Sequence, residues 1–395
     1  MHVPIRVLAG GLFACYFSAT LLVAQDANAP TTILVDDDHV QCPTATFVSI
    51  QDAVNHAPSG AHIRVCAGTY VEQVAVTKPV TIAGDDGAML IPLNMVQNAS
   101  SLTSGDPIAA AIFVQGTTGV SITGLTIDGV NNNIGGCGPD LIGVYYQNAS
   151  GSITTSAIRN FKLSAGLNGC QSGEGIFVQS GGGGTSIVTV MGNSVHDYQK
   201  NGITGNEIGT AITITSNVVA GLGPTTGAAQ NGIQLAFGAT GSITSNIVSN
   251  NIWSPCTVAN ASTCAAAATD ILVFSSNSVT IKGNTVGESQ IGIYVGANSA
   301  TLTTNNVFNI MVYDGIDLIG DSNTVKSNNV TKCDESSIFI QGNGNAVTTS
   351  TLNEAPVGIL KAAGFTGTFT GNIFLNTPVK IQDPPAVVRP VQVHQ

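Results

Sequence analysis

The chain has 395 residues, of which 12 are Lys or Arg and 23 are Asp or Glu, giving a charged fraction of 9% and a formal net charge of −11. So low a charge density excludes long Lys/Glu-rich surface helices, and its sign excludes the basic footprint of a nucleic-acid binder. With 43% hydrophobic residues, 46 Gly and 33 Asn, the chain reads as a turn-rich all-β protein rather than a disordered one.

At the N-terminus, Met1–Arg6 carries one positive charge, Val7–Val23 is almost wholly apolar, and small residues follow at Ala24, Ala27 and Ala29. This pattern predicts a secretory signal peptide over residues 1–24, hence a secreted product with no membrane association after cleavage. Seven cysteines remain beyond the leader: Cys42, Cys66, Cys137, Cys170, Cys256, Cys264 and Cys333. In an exported chain they are expected to form disulfides rather than metal thiolates, and no C-x-x-C motif argues otherwise. Cys256 and Cys264 close a short loop and are the first pair expected. Cys42–Cys66 and Cys137–Cys170 are further candidates, which leaves Cys333 odd.

The body of the chain is a repeat. The dipeptide Gly-Ile recurs at Gly175-Ile176, Gly202-Ile203, Gly232-Ile233, Gly292-Ile293, Gly315-Ile316 and Gly358-Ile359, with Asp270-Ile271 and Ser337-Ile338 filling the gaps. Successive Ile positions differ by 27, 30, 38, 22, 23, 22 and 21 residues. Each unit holds short runs of alternating apolar residues broken by Gly/Asn/Ser turns, which predicts strands and excludes long helices. A short-strand unit of this period is a solenoid signal. A second column, Asn193, Asn217, Asn246, Asn284, Asn305, Asn328 and Asn372, keeps the same phase. On stacked coils these amides would stand one above another, so they are expected to form a structural asparagine ladder rather than ligands.

These columns, with Ile33–Asp38, Phe47–Val54, Gly60–Val65, Gly68–Val74 and Lys78–Gly84 in order ahead of them, give a series that resembles right-handed parallel β-helix proteins of the pectin-lyase-like superfamily. The likeness is to pectin methylesterases and related helix proteins at the first coils, and it covers roughly residues 31–380. It implies one single-stranded right-handed parallel β-helix over 31–380, a short capping helix around Ser49–His56, and an extended tail over 381–395. It does not imply one chemistry, because the fold hosts hydrolases, esterases, lyases, epimerases and adhesins. The Asp-Phe-Ile-Phe-Gly strand of pectin methylesterases, the mid-helix Gly-His-Gly of polygalacturonases and the Asp-Pro-His-Asp of alginate epimerases are all absent. Gly84-Asp85-Asp86 lies in the first coil and is expected to be a turn. Asp36-Asp37-Asp38 reads as turn chemistry too.

Coil length points to a site. The intervals from Ile176 to Ile271 exceed the minimal 22 residues and place extra loops at Ser180–Ser186, Gly221–Gln230 and Trp253–Ala268. Extra residues in a solenoid leave as loops that flank a binding face. The strand column they border carries Glu174, Phe177, Asn201, Asn231, Gln234 and Tyr294 as expected substrate contacts. Such a mix of amides, carboxylates and aromatic rings suits a sugar chain. The run His196-Asp197-Tyr198-Gln199-Lys200 supplies candidate catalytic groups in His196, Asp197 and Lys200. Asp314 and Asp317 supply two more within an acidic set that also holds Asp270 and Asp321. Asp270 and Asp314 could reach the separation of an inverting carboxylate pair, or the acidic set could hold Ca²⁺. The expected function is therefore a secreted monomeric β-helix protein acting on or binding extracellular polysaccharide along the middle coils, of hydrolase or lyase type if catalytic. The alternative is a non-catalytic glycan-binding or surface-interaction scaffold. Net charge favours neutral glycans, or uronates bridged by Ca²⁺, over bare polyanions.

Overall fold

A computed structural model describes residues 31–383 together with Met1. Of the leader expected over residues 1–24, residues 2–24 lie outside the described residues, as do residues 384–395 of the tail expected over 381–395. The chain winds through three long parallel sheets of 13, 12 and 13 strands. Sheet A runs from Thr32–Val35 to Gly367–Thr370, sheet B from Gly68–Tyr70 to Ile373–Leu375, and sheet C from Val74–Val76 to Val379–Gln382. Each rung contributes one short strand to each sheet, and rungs stack at the interstrand spacing of about 4.8 Å. A single antiparallel pair, Ala99–Ser100 against Pro107–Gln115, interrupts the pattern among the described strands.

Alternation decides which way each side chain faces. On sheet C the Ile column stacks in register from Ile112 through Val144, Ile176, Ile203, Ile233, Ile271, Ile293, Ile316 and Ile338 to Ile359. All of these lie in one continuous apolar core that fills the lumen. At Gly202 the close approach of the next rung favours Gly, since a Cβ there would sit 2.5 Å from Gly232 O. On sheet A the inward residues are apolar, and the outward ones form columns rich in Ser and Thr from Ser121 and Thr123 onward, the latter broken by Met191, Lys282 and Lys326. Their hydroxyls bond between rungs, as in Thr154–Thr123 at 3.0 Å and Thr244–Thr215 at 3.1 Å.

The asparagine column is a ladder. The backbone N–H groups of Asn193, Asn217, Asn246, Asn284 and Asn305 each donate to the side-chain Oδ1 one rung on, at 2.8–3.0 Å. Ser350 takes the place between Asn328 and Asn372. The preceding residue in several rungs, such as Ser216, Ser245 and Thr304, adopts φ near +55°, and the ladder amides hold this turn in place.

The first rung is closed by the helix Ile50–His56, with Ser49 as N-cap and Ile50, Ala53 and Val54 buried against the lumen. Glu72 reinforces that end: its carboxylate accepts from Ile50 N, Gln51 N and Ser49 Oγ at 2.7–2.9 Å. Disulfides join Cys42–Cys66, Cys137–Cys170 and Cys256–Cys264, and Cys333 is a buried free thiol. Asp38 accepts from Val40 N as a turn residue does, whereas Asp36 accepts from Cys42 N and Asp37 ties the segment to the next rung by accepting from Thr69 N, 32 residues on. Asp85 pairs with Arg64 on the surface at 2.8 Å.

Candidate functional site

Loops gather on both flanks of sheet C. Ser180–Thr185 leave at the corner into sheet A. On the other side, between sheets B and C, the excess residues lie at 91–106, 129–139, 160–173, 226–230 and 254–268. Three of these five segments precede residue 174 and were not marked by the Gly-Ile spacing, which begins only there.

The outward column of sheet C is the one read from the sequence. Phe177, Thr204, Gln234, Leu272, Tyr294, Asp317 and Phe339 pair rung by rung. Glu174, Asn201 and Asn231 form a second column three residues earlier. These side chains are buried, however, and do not form an open trough. Thr204 donates to Glu174 Oε2 at 2.5 Å. Asn201 donates to Thr204, Asn231 to Asn201 Oδ1, and Gln234 to Asn206 Oδ1, at 3.1 Å each. Further along, Cys256, Ala267 and the partly buried Trp253 pack onto Leu272, Ile291 and Tyr294. The Trp253–Ala268 loop is apolar where it meets the sheet, so it covers the middle rungs. Tyr294 is a packing residue, not a free stacking surface.

The cluster expected at 196–200 is split by the corner it occupies. His196 is the last residue of a sheet B strand and Asp197 adopts φ +57°, so consecutive side chains diverge. His196 Nδ1 and Asp197 Oδ2 lie 2.7 Å apart on the outside, each about one-third exposed. Burial would raise the Asp197 carboxyl, but the His196 hydrogen bond and the Lys162 charge outweigh it and hold it below the ordinary value. Tyr198 turns into the lumen and donates to Asn251 Oδ1 at 2.7 Å. Lys200 is fully buried at the corner, where Nζ donates to Ala229 O at 2.9 Å. Burial pulls its ammonium down to about 7 against the opposing pull of Glu174. His196 and Asp197 therefore do not share a cleft with Lys200.

The acidic set is divided as well. Asp270 occupies the Gly position of its rung, so its side chain points to the inner corner and accepts from Asn251 Nδ2 at 2.7 Å. Burial pushes its carboxyl well above the ordinary value. Asp321 sits exposed in a turn and accepts from Asn343 N at 2.6 Å. Asp314 and Asp317 lie on one rung, with Ser336 Oγ donating to Asp314 Oδ1 at 2.5 Å. An Asp270–Asp314 carboxylate pair on one face is thus not formed, nor do all four carboxylates converge as a Ca²⁺ shell would need.

The site that spacing missed lies at the first rungs of the same face. Phe113, Tyr145 and Phe177 stack with centroids 5.5 and 5.2 Å apart. Their neighbours in register are Gln115, Gln147 and Gln179. Tyr145 O–H donates to Gln179 Oε1 at 2.7 Å, and Gln147 Nε2 donates to the phenolic Oη of Tyr145 and to Ser100 O at 3.0 and 2.6 Å. Beside this array is a cavity of ≈ 620 Å³, lined by Phe113, Gln115, Gln147 and the 97–102 segment, with no ionisable side chain.

Stacked parallel rungs, a helical cap and an interior Ile/Asn array define a single-stranded right-handed parallel β-helix. Three solved structures share this architecture at low identity. A GH136 lacto-N-biosidase from Eubacterium ramulus matches with TM-score 0.60 and 13% identity over 87% of this chain and 68% of the other. PfbA, a surface adhesin of Streptococcus pneumoniae, matches with TM-score 0.56 and 12% identity over 83% and 86%. XylC in complex with xylose matches with TM-score 0.52 and 10% identity over 88% and 86%. No curated protein matches the chain by sequence. Residues 256–386 match the family described as periplasmic copper-binding protein (NosD). Three disulfides and similarity to a periplasmic family mark a secreted or periplasmic protein.

Copper prefers imidazole, thiolate and thioether donors. Residues 256–386 contain no His and one Met, Met311. Cys256 and Cys264 are joined in a disulfide and Cys333 is buried. That donor set does not fit a copper centre.

Proposed function

We propose that the protein binds a neutral, hydroxyl-rich glycan at the first rungs of sheet C. The observation that carries this reading is the ≈ 620 Å³ cavity beside Phe113, lined by amides and hydroxyls and without a charged side chain. Sugars present a rim of hydroxyls, which the amides of Gln97, Asn98, Gln115 and Gln147 and the hydroxyl of Ser100 complement, with the buried Phe113 forming the apolar floor. A net charge of −11 repels polyanions and leaves neutral chains unopposed. That the fold is shared with a lacto-N-biosidase and with a protein bound to xylose supports the sugar class. The divergence of His196 and Asp197 from Lys200 favours binding over turnover.

A glycan panel titrated calorimetrically against the mature protein tests the proposal. At least one neutral oligosaccharide is expected to bind, and Phe113→Ala to weaken it by about tenfold or more, the equivalent of about 1.4 kcal/mol. Absence of binding across neutral glycans, or an unchanged affinity in Phe113→Ala, would count against it. An enzyme reading rests on Asp314 and Asp317 standing on one rung. It predicts new reducing ends or unsaturated products that disappear in Asp314→Asn and Asp317→Asn, and a Ca²⁺-dependent form predicts loss on chelation.

A further inference from the structure

We infer that the sheet C cavity takes sugars with unsubstituted hydroxyls and refuses their O-methyl or O-acetyl derivatives, and that Gln147 is the positioning residue that sets this preference. The preference rests on the glycan reading above and adds which sugars that site accepts. The direction of the hydrogen bonds behind the cavity carries it, and the main chain fixes that direction at two points.

Leu102 N donates to Gln179 Oε1 at 2.9 Å, and a main-chain N–H can only donate, so the same oxygen receives the Tyr145 O–H at 2.7 Å. The phenolic Oη is left to accept, and Gln147 faces it with Nε2 at 3.0 Å. The second Nε2 hydrogen of Gln147 goes to Ser100 O at 2.6 Å, a carbonyl that can only accept. Both donors of this buried amide are thereby spent inward, and its Oε1 faces Gln115, whose Nε2 it receives at 3.0 Å. Tyr145 is itself fully buried between Phe113 and Phe177. Burial holds its phenol well above the ordinary value, so the proton stays in place.

This order decides what is left facing the cavity. Gln115 is exposed and has one N–H turned onto Gln147, so it offers Oε1 and its other N–H. Gln97 Nε2 donates to Ala99 O and Ser100 Oγ at 3.3 Å each, which leaves Gln97 Oε1 as an acceptor and the Ser100 hydroxyl as a donor. Asn98 is turned onto Ala110, bonding its main-chain carbonyl and N–H at 2.9 Å each. The lining therefore carries two oriented carbonyl acceptors, on Gln97 and Gln115, and among the described residues neither receives a protein donor. A sugar hydroxyl can donate to such an oxygen. An ether or ester oxygen cannot, so a substituted sugar sets acceptor against acceptor. Without Gln147 Oε1 the Gln115 amide could turn over and present Nε2 in its place.

Xylobiose, cellobiose and lactose, each beside its per-O-methyl derivative, are titrated against the mature protein and followed by NMR. At least one free sugar is expected to bind, and to do so about fivefold or more tightly than its ether. In Gln147→Met the ratio is expected to fall to about one, because Gln115 can then offer Nε2 to an ether oxygen. Gln115→Met, on the exposed edge, is expected to lose the preference too, which keeps the test in hand should Gln147→Met fail to fold. In the sugar-free protein the Gln115 side-chain amide is expected to exchange with water more slowly than in Gln147→Met. A ratio that persists in both variants means that bulk alone excludes the ether and overturns the inference, as does a Gln115 amide that exchanges equally in both proteins. Equal binding of sugar and ether, with sugar binding still weakened in Phe113→Ala, leaves the glycan site standing and overturns only its hydroxyl preference. Absence of binding by all three sugars overturns both.

Discussion

Asn246 shows what one side chain does in this fold. Its Oδ1 accepts from both the backbone and side-chain nitrogens of Asn217, and its Nδ2 donates to Ile214 O and Asn284 Oδ1. Truncation would leave the buried Asn217 N–H without an acceptor, so Asn246→Ala is expected to cost about 1–3 kcal/mol in urea unfolding. Asn329→Ala, on the exposed surface, is expected to stay within about 0.5 kcal/mol. Asp270 gives a second residue-scale prediction. A carboxyl raised by burial binds its proton more tightly folded than unfolded, so its contribution is intact below the ordinary value near 4 and is lost as pH rises above it. The melting temperature of Asp270→Asn is therefore expected to fall less than that of the unmodified protein between about pH 5 and pH 8. The asparagine ladder was legible in the sequence because its amides keep the phase of the repeat. The fates of Lys200 and Asp270 were not, since a corner turns neighbouring side chains in different directions and spacing along the chain does not record that turn.

Among elements, the capping helix depends on a residue outside it. Glu72 satisfies two N-terminal amides of Ile50–His56 and the hydroxyl of its N-cap. Glu72→Ala is expected to destabilise the first rungs by at least about 1.5 kcal/mol, the lower range for a bond to a charged acceptor. Hydrogen exchange should show the effect as faster exchange at Ile50 and Gln51 than in sheet C. The strands were legible because their apolar alternation is a local signal, whereas the capping helix was implied only by the family resemblance. The loops were legible only as lengths. The 253–268 excess is where it was expected, yet it packs on Leu272 and Tyr294 and covers the middle rungs. The 91–106 segment, which lines the cavity beside Phe113, precedes the first Gly-Ile pair and left no spacing signal.

At the scale of the molecule, the solenoid sorts its chemistry by face. Sheet A presents hydroxyl columns, sheet B carries the Arg159–Asp197 group, and sheet C holds the aromatic stack and the uncharged cavity. A neutral glycan bound at sheet C should show an affinity that changes little between about 50 and about 300 mM salt, whereas an ion-paired ligand should lose affinity over the same range. Isothermal titration at both concentrations measures the contrast directly. The one-dimensional order of the chain determined the stacking, the lumen and the ladder, because a repeat of constant phase leaves each residue type only one inward or outward place on its strand. Which outward residues meet a cavity was decided by tertiary structure alone. Loops from different rungs fold across the sheets, burying Glu174, Asn231 and Tyr294 and leaving the amides of Gln97 and Gln115 exposed at the cavity over Phe113, and no periodicity encodes where an irregular loop comes to rest.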